Sequence, residues 1–181
     1  DAMIAAMKYW VWEANIDGYR CDYADGVPFS FWKRAIDTLK AMPNRDYVFL
    51  AEGSRADHFT AGFDLKYGWD FYYKMISVFE GANASDLFSV HTSEYGSVPD
   101  NKHLLRYSTN HDESAWNATP ISLFDGINGS LAASVATIYT GGVPLFYTGQ
   151  EVGTVNTVPF FSNSTINWNN NPDMLQAYID V

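Results

Sequence analysis

Three acidic residues, Asp22, Glu52 and Asp112, each follow a short apolar run, in the segments DGYRCDYADG (17–26), YVFLAEGS (47–54) and LLRYSTNHDES (104–114). Parallel strands deliver side chains from their carboxyl ends, so acids distant in sequence can be brought to one bond. A carboxylate that attacks or steadies a sugar cation and a carboxylic acid that protonates the leaving oxygen are the pair that glycoside cleavage needs. The chain supplies one carboxylate beyond that pair.

The neighbours of the three acids differ. Arg20 stands two residues before Asp22, on the same face of a strand. A guanidinium there keeps a carboxylate ionised, as a nucleophile requires, although the two residues also fit a simple buried ion pair. Glu52 follows Phe49-Leu50-Ala51, an apolar setting that favours the protonated acid, and it equally fits a solvated strand-end glutamate. Asn110, His111 and Asp112 place an amide, an imidazole and a carboxylate in succession. They can hold a polyhydroxylated ligand at several points, or form a turn closed by an Asx hydrogen bond.

The elements that would carry these residues follow from periodicity and breakers. Ile4, Met7 and Val11 share one face of a helix from Met3 to Asn15. A strand from Ile16 to Asp22 comes next, and the turn Asp25-Gly26-Val27-Pro28 leads into a second helix, Ser30 to Ala41, stopped by Pro43. Tyr47 to Ala51 is continuously apolar, as in a parallel strand covered on both faces. Gly62 to Leu65 reads as a short strand, Trp69 to Phe79 as a helix with Phe71, Met75 and Phe79 on one side, and Ala84 to Val90 as a short helix before a loop. Leu104 to Ser108 reads as a strand, Gly129 to Tyr139 as an Ala-rich helix, and Val143 to Thr148 as a last strand after Gly141-Gly142. Strands alternating with helices predict an α/β fold with a parallel sheet. No Gly-X-Gly-X-X-Gly turn follows any of them, which argues against a dinucleotide-binding fold.

With 181 residues, 47% hydrophobic and 17% aromatic, the chain can bury a sizeable core and reads as one globular unit. Its formal charge of −10 repels phosphate backbones and anionic lipid, so neither nucleic acid nor a membrane surface is an expected partner. Aromatic rings with polar edges suit a neutral sugar, though most of them are expected in the core. The single cysteine, Cys21, excludes an intrachain disulfide. No stretch reaches the roughly 20 apolar residues of a membrane helix, and the start DAMIAAMKYW lacks the basic region of a signal peptide. His58, His91 and His103 show no ligand spacing and read as surface or loop residues, so no metal site is expected.

The segments together resemble the α-amylase family of glycoside hydrolases. DGYRCD is similar to the Gly-X-Arg-X-Asp motif of the family's fourth barrel strand, LAEGS to the acid segment of the fifth, and YSTNHD to the Asn-His-Asp motif of the seventh. GFDLKYGWDF (62–71) resembles the sixth-strand region and GGVPLFYTGQEVG (141–153) the eighth. The resemblance covers nearly the whole chain and implies a partial (β/α)8 TIM barrel, strands four to eight with their helices, forming one catalytic domain fragment over residues 1–181.

Carried over, it implies Asp22 as nucleophile, Glu52 as general acid/base and Asp112 as the carboxylate that grips sugar hydroxyls. Arg20 would orient Asp22, and His111 and Asn110 would contact the substrate. The implied reaction is retaining hydrolysis or transglycosylation of α-glucosidic bonds in starch-like glucans, without a cofactor, in a secreted or periplasmic setting. A non-catalytic amylase-like carbohydrate-binding protein is the alternative. Where many members carry Lys-His after the nucleophile, serving an acceptor-side sugar and calcium, this chain has Asp25 and Gly26, so calcium is not supported by the residues present. Asp25 reads as a turn former, Trp116 as either a sugar platform or a core residue, and Glu151 as a structural hydrogen-bonding group. Five strands cannot close an eight-stranded barrel. The fragment alone is therefore expected to be inactive and to self-associate through exposed sheet edges.

Overall fold

The computed structural model describes residues 1–43 and 45–181. It divides into two compact units, one of residues 1–67 and 95–104, the other of residues 68–94 and 105–181.

The first unit begins with helix α1 (Ala2–Ala14), which buries Ile4, Met7 and Val11 and ends at Asn15 in a left-handed conformation. Strand β1 (Gly18–Cys21) follows, then a 3-10 turn at Ala24–Gly26 and helix α2 (Phe29–Lys40). Strand β2 (Val48–Ala51), the short helix α3 (His58–Ala61) and strand β3 (Leu65–Tyr67) complete it. β1 pairs with β2 in parallel, Gly18 opposite Val48 and Cys21 opposite Ala51, and β2 pairs with β3, Leu50 opposite Leu65. Gly18 is required by this pairing, since a Cβ there would stand 1.8 Å from the Val48 carbonyl oxygen.

Trp32, Ile36, Leu39, Phe49 and Phe63 form the centre of the first unit's core. Trp32 packs edge-on against Phe63 at 5.3 Å, and its indole N–H donates to the Ala24 carbonyl at 3.0 Å. Asp64 ties this unit's edges together. Its carboxylate accepts from Lys40, Lys102 and the Phe49 N–H; burial opposes its charge, but these bonds prevail and hold its pKa below the ordinary carboxylate range.

The predicted strand over Gly62–Leu65 lies three residues further on. Gly62, at φ 114°, ends α3 rather than opening a strand, because HFTA closes one helical turn that a left-handed residue must terminate.

The second unit contains helices α4 (Trp69–Phe79) and most of α5 (Asp86–Tyr95), followed by strand β4 (His103–Tyr107), whose last three residues it holds. Helices α6 (Pro120–Leu123) and α7 (Gly126–Tyr139), strand β5 (Val143–Leu145) and helix α8 (Pro172–Asp180) follow. β4 and β5 pair in parallel, Leu105 opposite Val143 and Tyr107 opposite Leu145. Arg106, completely buried, is the organising residue here. Its guanidinium pairs with Glu94, contacts His91 Nδ1 at 3.2 Å, donates to the Gly141 carbonyl and lies 4.4 Å from the centre of the Phe71 ring.

His91 is therefore not the ordinary surface residue its spacing suggested. Burial and the Arg106 charge lower its pKa. Gln150 makes the network expected of Glu151: its amide nitrogen lies within hydrogen-bond distance of the Ser108, Ser134 and Tyr178 hydroxyls, while Glu151 Oε2 is buried with no hydrogen-bond partner among the described atoms. Among the described residues no helix is long and apolar enough to cross a membrane.

Candidate active site

In the first unit the parallel register sets two acids side by side. Cys21 and Ala51 are the last paired residues of β1 and β2. The ladder runs one step further, with Glu52 N–H donating to the Cys21 carbonyl at 3.0 Å and Ala24 N–H to the Glu52 carbonyl at 2.9 Å. Asp22 and Glu52 thus leave adjacent strands at their carboxyl ends, where the fold delivers reactive groups.

Arg20 joins them. Its Nη1 donates to Asp22 Oδ1 at 2.6 Å, and its Nη2 pairs with Glu52 Oε1. Burial works against the Arg20 charge, but hydrogen bonds to Tyr67 and Asp22 outweigh it and raise its pKa. Exposure separates the two carboxylates: the Asp22 side chain is 79% exposed and that of Glu52 14%. Asp22 therefore reaches solvent as an attacking group must, while Glu52 is held from two sides, by Arg20 and by the Tyr23 N–H at 2.9 Å on Oε2. The apolar setting predicted for Glu52 is not what the structure shows. Phe49 and Ala51 turn into the core, and beyond the strand end the glutamate folds back onto polar partners.

A second polar cluster lies just behind this pair. Asp25 accepts from the N–H groups of Ser54 (2.9 Å) and Arg55 (3.2 Å) and meets His58 Nε2 at 2.6 Å. Burial alone would raise the Asp25 pKa, but these bonds lower it below the ordinary range. Arg55 reinforces the arrangement by donating to the Asp25 and Val27 carbonyls and forming a two-bond pair with Asp57. Gly53 makes room for it: a Cβ there would come within 2.3 Å of Asp25 Oδ1 and 2.6 Å of His58 Nε2.

The loop bearing Asp22 is thereby clamped to the loop that follows Glu52. His58, expected at the surface, is completely buried, because its partner 33 residues away draws it inward. Asp25 does more than turn the chain. With both of its oxygens engaged by N–H donors, it does not fit a calcium ligand.

In the second unit Asn110, His111 and Asp112 follow β4. The Asp112 and His111 side chains are 42% and 32% exposed, with His111 Nε2 at 3.5 Å from Asp112 Oδ2. Asn110 is different, being 1% exposed, with its Oδ1 accepting the Glu113 N–H at 2.9 Å. It caps the helical turn that begins at His111 and positions the next two residues instead of presenting its own amide to solvent. The chain then enters a wide π turn, Glu113–Asn117. The buried Glu113 carboxylate accepts from the Tyr72 hydroxyl at 2.9 Å and from the Asn117 amide. Burial, and then the Glu113 charge, push the Tyr72 hydroxyl pKa upward.

No protein-family model matches the chain. An α-amylase of Haloarcula japonica is 29% identical over 175 residues, 93% of this chain and 24% of that protein. A maltogenic α-amylase of Thermotoga neapolitana superposes with a TM-score of 0.83 at 24% identity, covering 98% of this chain and 41% of that one. The α-amylase of Geobacillus thermoleovorans, crystallised with acarbose, gives a TM-score of 0.78 at 21% identity, covering 97% and 41%. The chain thus spans about a quarter of the length of the curated relatives it matches. Its strands and flanking helices are those of a partial α-amylase-type (β/α)8 barrel, and the resemblance carried by the five motifs holds over nearly all its residues.

Proposed function

We propose that this chain belongs to an enzyme that cleaves α-glucosidic bonds of starch-like glucans by double displacement, passing the glycosyl group to water in hydrolysis or to a second sugar in transglycosylation. The observation that carries the reading is the Arg20 fork, which holds an exposed and a sequestered carboxylate at the ends of two neighbouring parallel strands. Likeness to α-amylases supports the substrate class. Asp22 attacks the anomeric carbon and forms a glycosyl ester as the bond to the leaving oxygen breaks, and Glu52 supplies the proton to that oxygen. Water then gives its proton to Glu52, its oxygen bonds to the same carbon, and the ester to Asp22 breaks.

Arg20 occupies Glu52 Oε1 before substrate arrives, so the leaving oxygen must replace that contact when the proton is delivered. Asp112 and His111 take the role of gripping sugar hydroxyls, an interaction that accelerates the reaction as far as it tightens in the transition state. Asn110 sets the turn that presents them.

Product stereochemistry tests the mechanism. Proton NMR of fresh maltooligosaccharide digests by the full-length protein should show the α-anomer first, and initial release of the β-anomer would refute double displacement.

A further inference from the structure

We infer that Trp116, Phe160 and Phe161 form an aromatic platform on which a glucosyl ring stacks, next to the sugar gripped by His111 and Asp112; this rests on the glucan reading above. The three rings are exposed, at 62%, 40% and 90% respectively. They nevertheless touch one another: Trp116 meets Phe160 edge-on at 5.6 Å and Phe161 at 6.4 Å, and the two phenyl rings lie 6.1 Å apart. Single exposed aromatics are commonplace, but a contiguous exposed group in water is a costly surface that marks a binding site.

Its location identifies the occupant. The Phe160 ring lies 5.5 Å from the His111 imidazole at an interplanar angle of 35°, so the apolar surface continues directly into the polar pair assigned to hydroxyl binding. A pyranose has the same division, with C–H groups on its faces and hydroxyls around its edge. A chain of such rings would place one edge on His111 and Asp112 and the face of the next ring on the aromatic group.

The platform is also held from beneath. Within the π turn Glu113, Ser114 and Ala115 are buried while Trp116 points outward, and the Glu113 carboxylate is fixed by Tyr72 and Asn117. The extra residue of a π turn is a device found at functional sites, where it redirects a side chain. The segment bearing the phenylalanines is tied to the same turn, with Val158 N–H donating to the Ser114 carbonyl at 3.0 Å and the Thr119 hydroxyl to the Val155 carbonyl at 3.1 Å. Such anchoring spares a ligand much of the cost of ordering the surface.

The test compares Trp116→Ala, Phe161→Ala and Trp116→Phe in the full-length protein on a series from maltotriose to maltoheptaose. The alanine variants should lose roughly three- to tenfold in kcat/KM on the long substrates, with the loss shrinking as the chain shortens, and Trp116→Phe should recover most of it. An equal loss at every length accompanied by a lower Tm would show that the rings pack against protein, and no loss at any length would equally overturn the platform. If the wild type cleaves no glucan, the functional reading fails separately. The platform is then decided by maltoheptaose titration followed by tryptophan fluorescence: binding that Trp116→Ala abolishes supports it, and binding that is absent or unaltered in that variant removes it.

Discussion

The two groups of candidate residues are assembled by different forces. In the first unit, charge does the work: one guanidinium spans two carboxylates from neighbouring strands, and the Asp25–His58 clamp fastens the loops behind them. In the second, backbone does it: Asn110 closes a turn, a π turn follows, and His111 and Asp112 project from the result. A site that breaks bonds needs its acids placed against one another, and charge-assisted hydrogen bonds give that placement directly. A site that holds a polyol needs donors and acceptors at fixed spacing, which a rigid turn provides without charge coupling.

The contrast breaks most sharply at Arg20. Arg20→Met should lower kcat/KM by roughly 100-fold or more, an effect far larger than its cost in urea unfolding, which falls on the sequestered Glu52 and not on the solvent-exposed Asp22. A smaller kinetic effect would mean that the fork is only structural. Asp25→Asn should behave in the opposite way, costing about 1–3 kcal/mol because the buried His58 and two backbone N–H groups lose a charged acceptor. Equilibrium unfolding of the variant measures this. Asn110→Ala should cost about 1 kcal/mol by removing the acceptor for Glu113 N–H, and should weaken substrate binding only through the displaced turn, seen as a rise in KM larger than the fall in kcat.

Acid separates the units more gently. Asp25 and Asp64, both in the first, have folded pKa values below their unfolded ones. Their stabilisation is complete above the unfolded value of about 3.9 and is lost as pH falls through the lowered folded values. Denaturation followed by circular dichroism should therefore show stability dropping below about pH 4, and Asp25→Asn should reduce the steepness of that drop.

How much of this was legible in the sequence depends on the range of the interaction concerned. Helix α4 runs from Trp69 to Phe79 as its apolar spacing predicts, and α1 buries the three residues that its periodicity selects. The acids at the ends of β1 and β2 were equally visible, because strand register is set by local apolar runs. Helix α5 extends to Tyr95, beyond its predicted end, because it buries none of its residues and so leaves no apolar period to read. His58 and Asp25 were misjudged for the opposite reason: each is ordinary alone, and only the fold brings them to 2.6 Å. The apolar run before Glu52 misled in the same way, since the residues that face the core are not those that surround the carboxylate. The π turn carries no propensity signal, so Trp116 could be assigned to neither surface nor core until its exposure was known.

The central claim, that Asp22 is the attacking carboxylate and Arg20 its partner, is tested most directly by chemical rescue. Asp22→Ala in the full-length protein, given an aryl α-glucoside whose leaving group needs little protonation, should be almost inactive. Added azide should restore turnover by bonding to the anomeric carbon from the side Asp22 vacated, yielding the β-glucosyl azide as the aryl group departs. Failure of azide to restore an otherwise folded Asp22→Ala protein, or the same rescue in Asp112→Ala, would contradict the assignment.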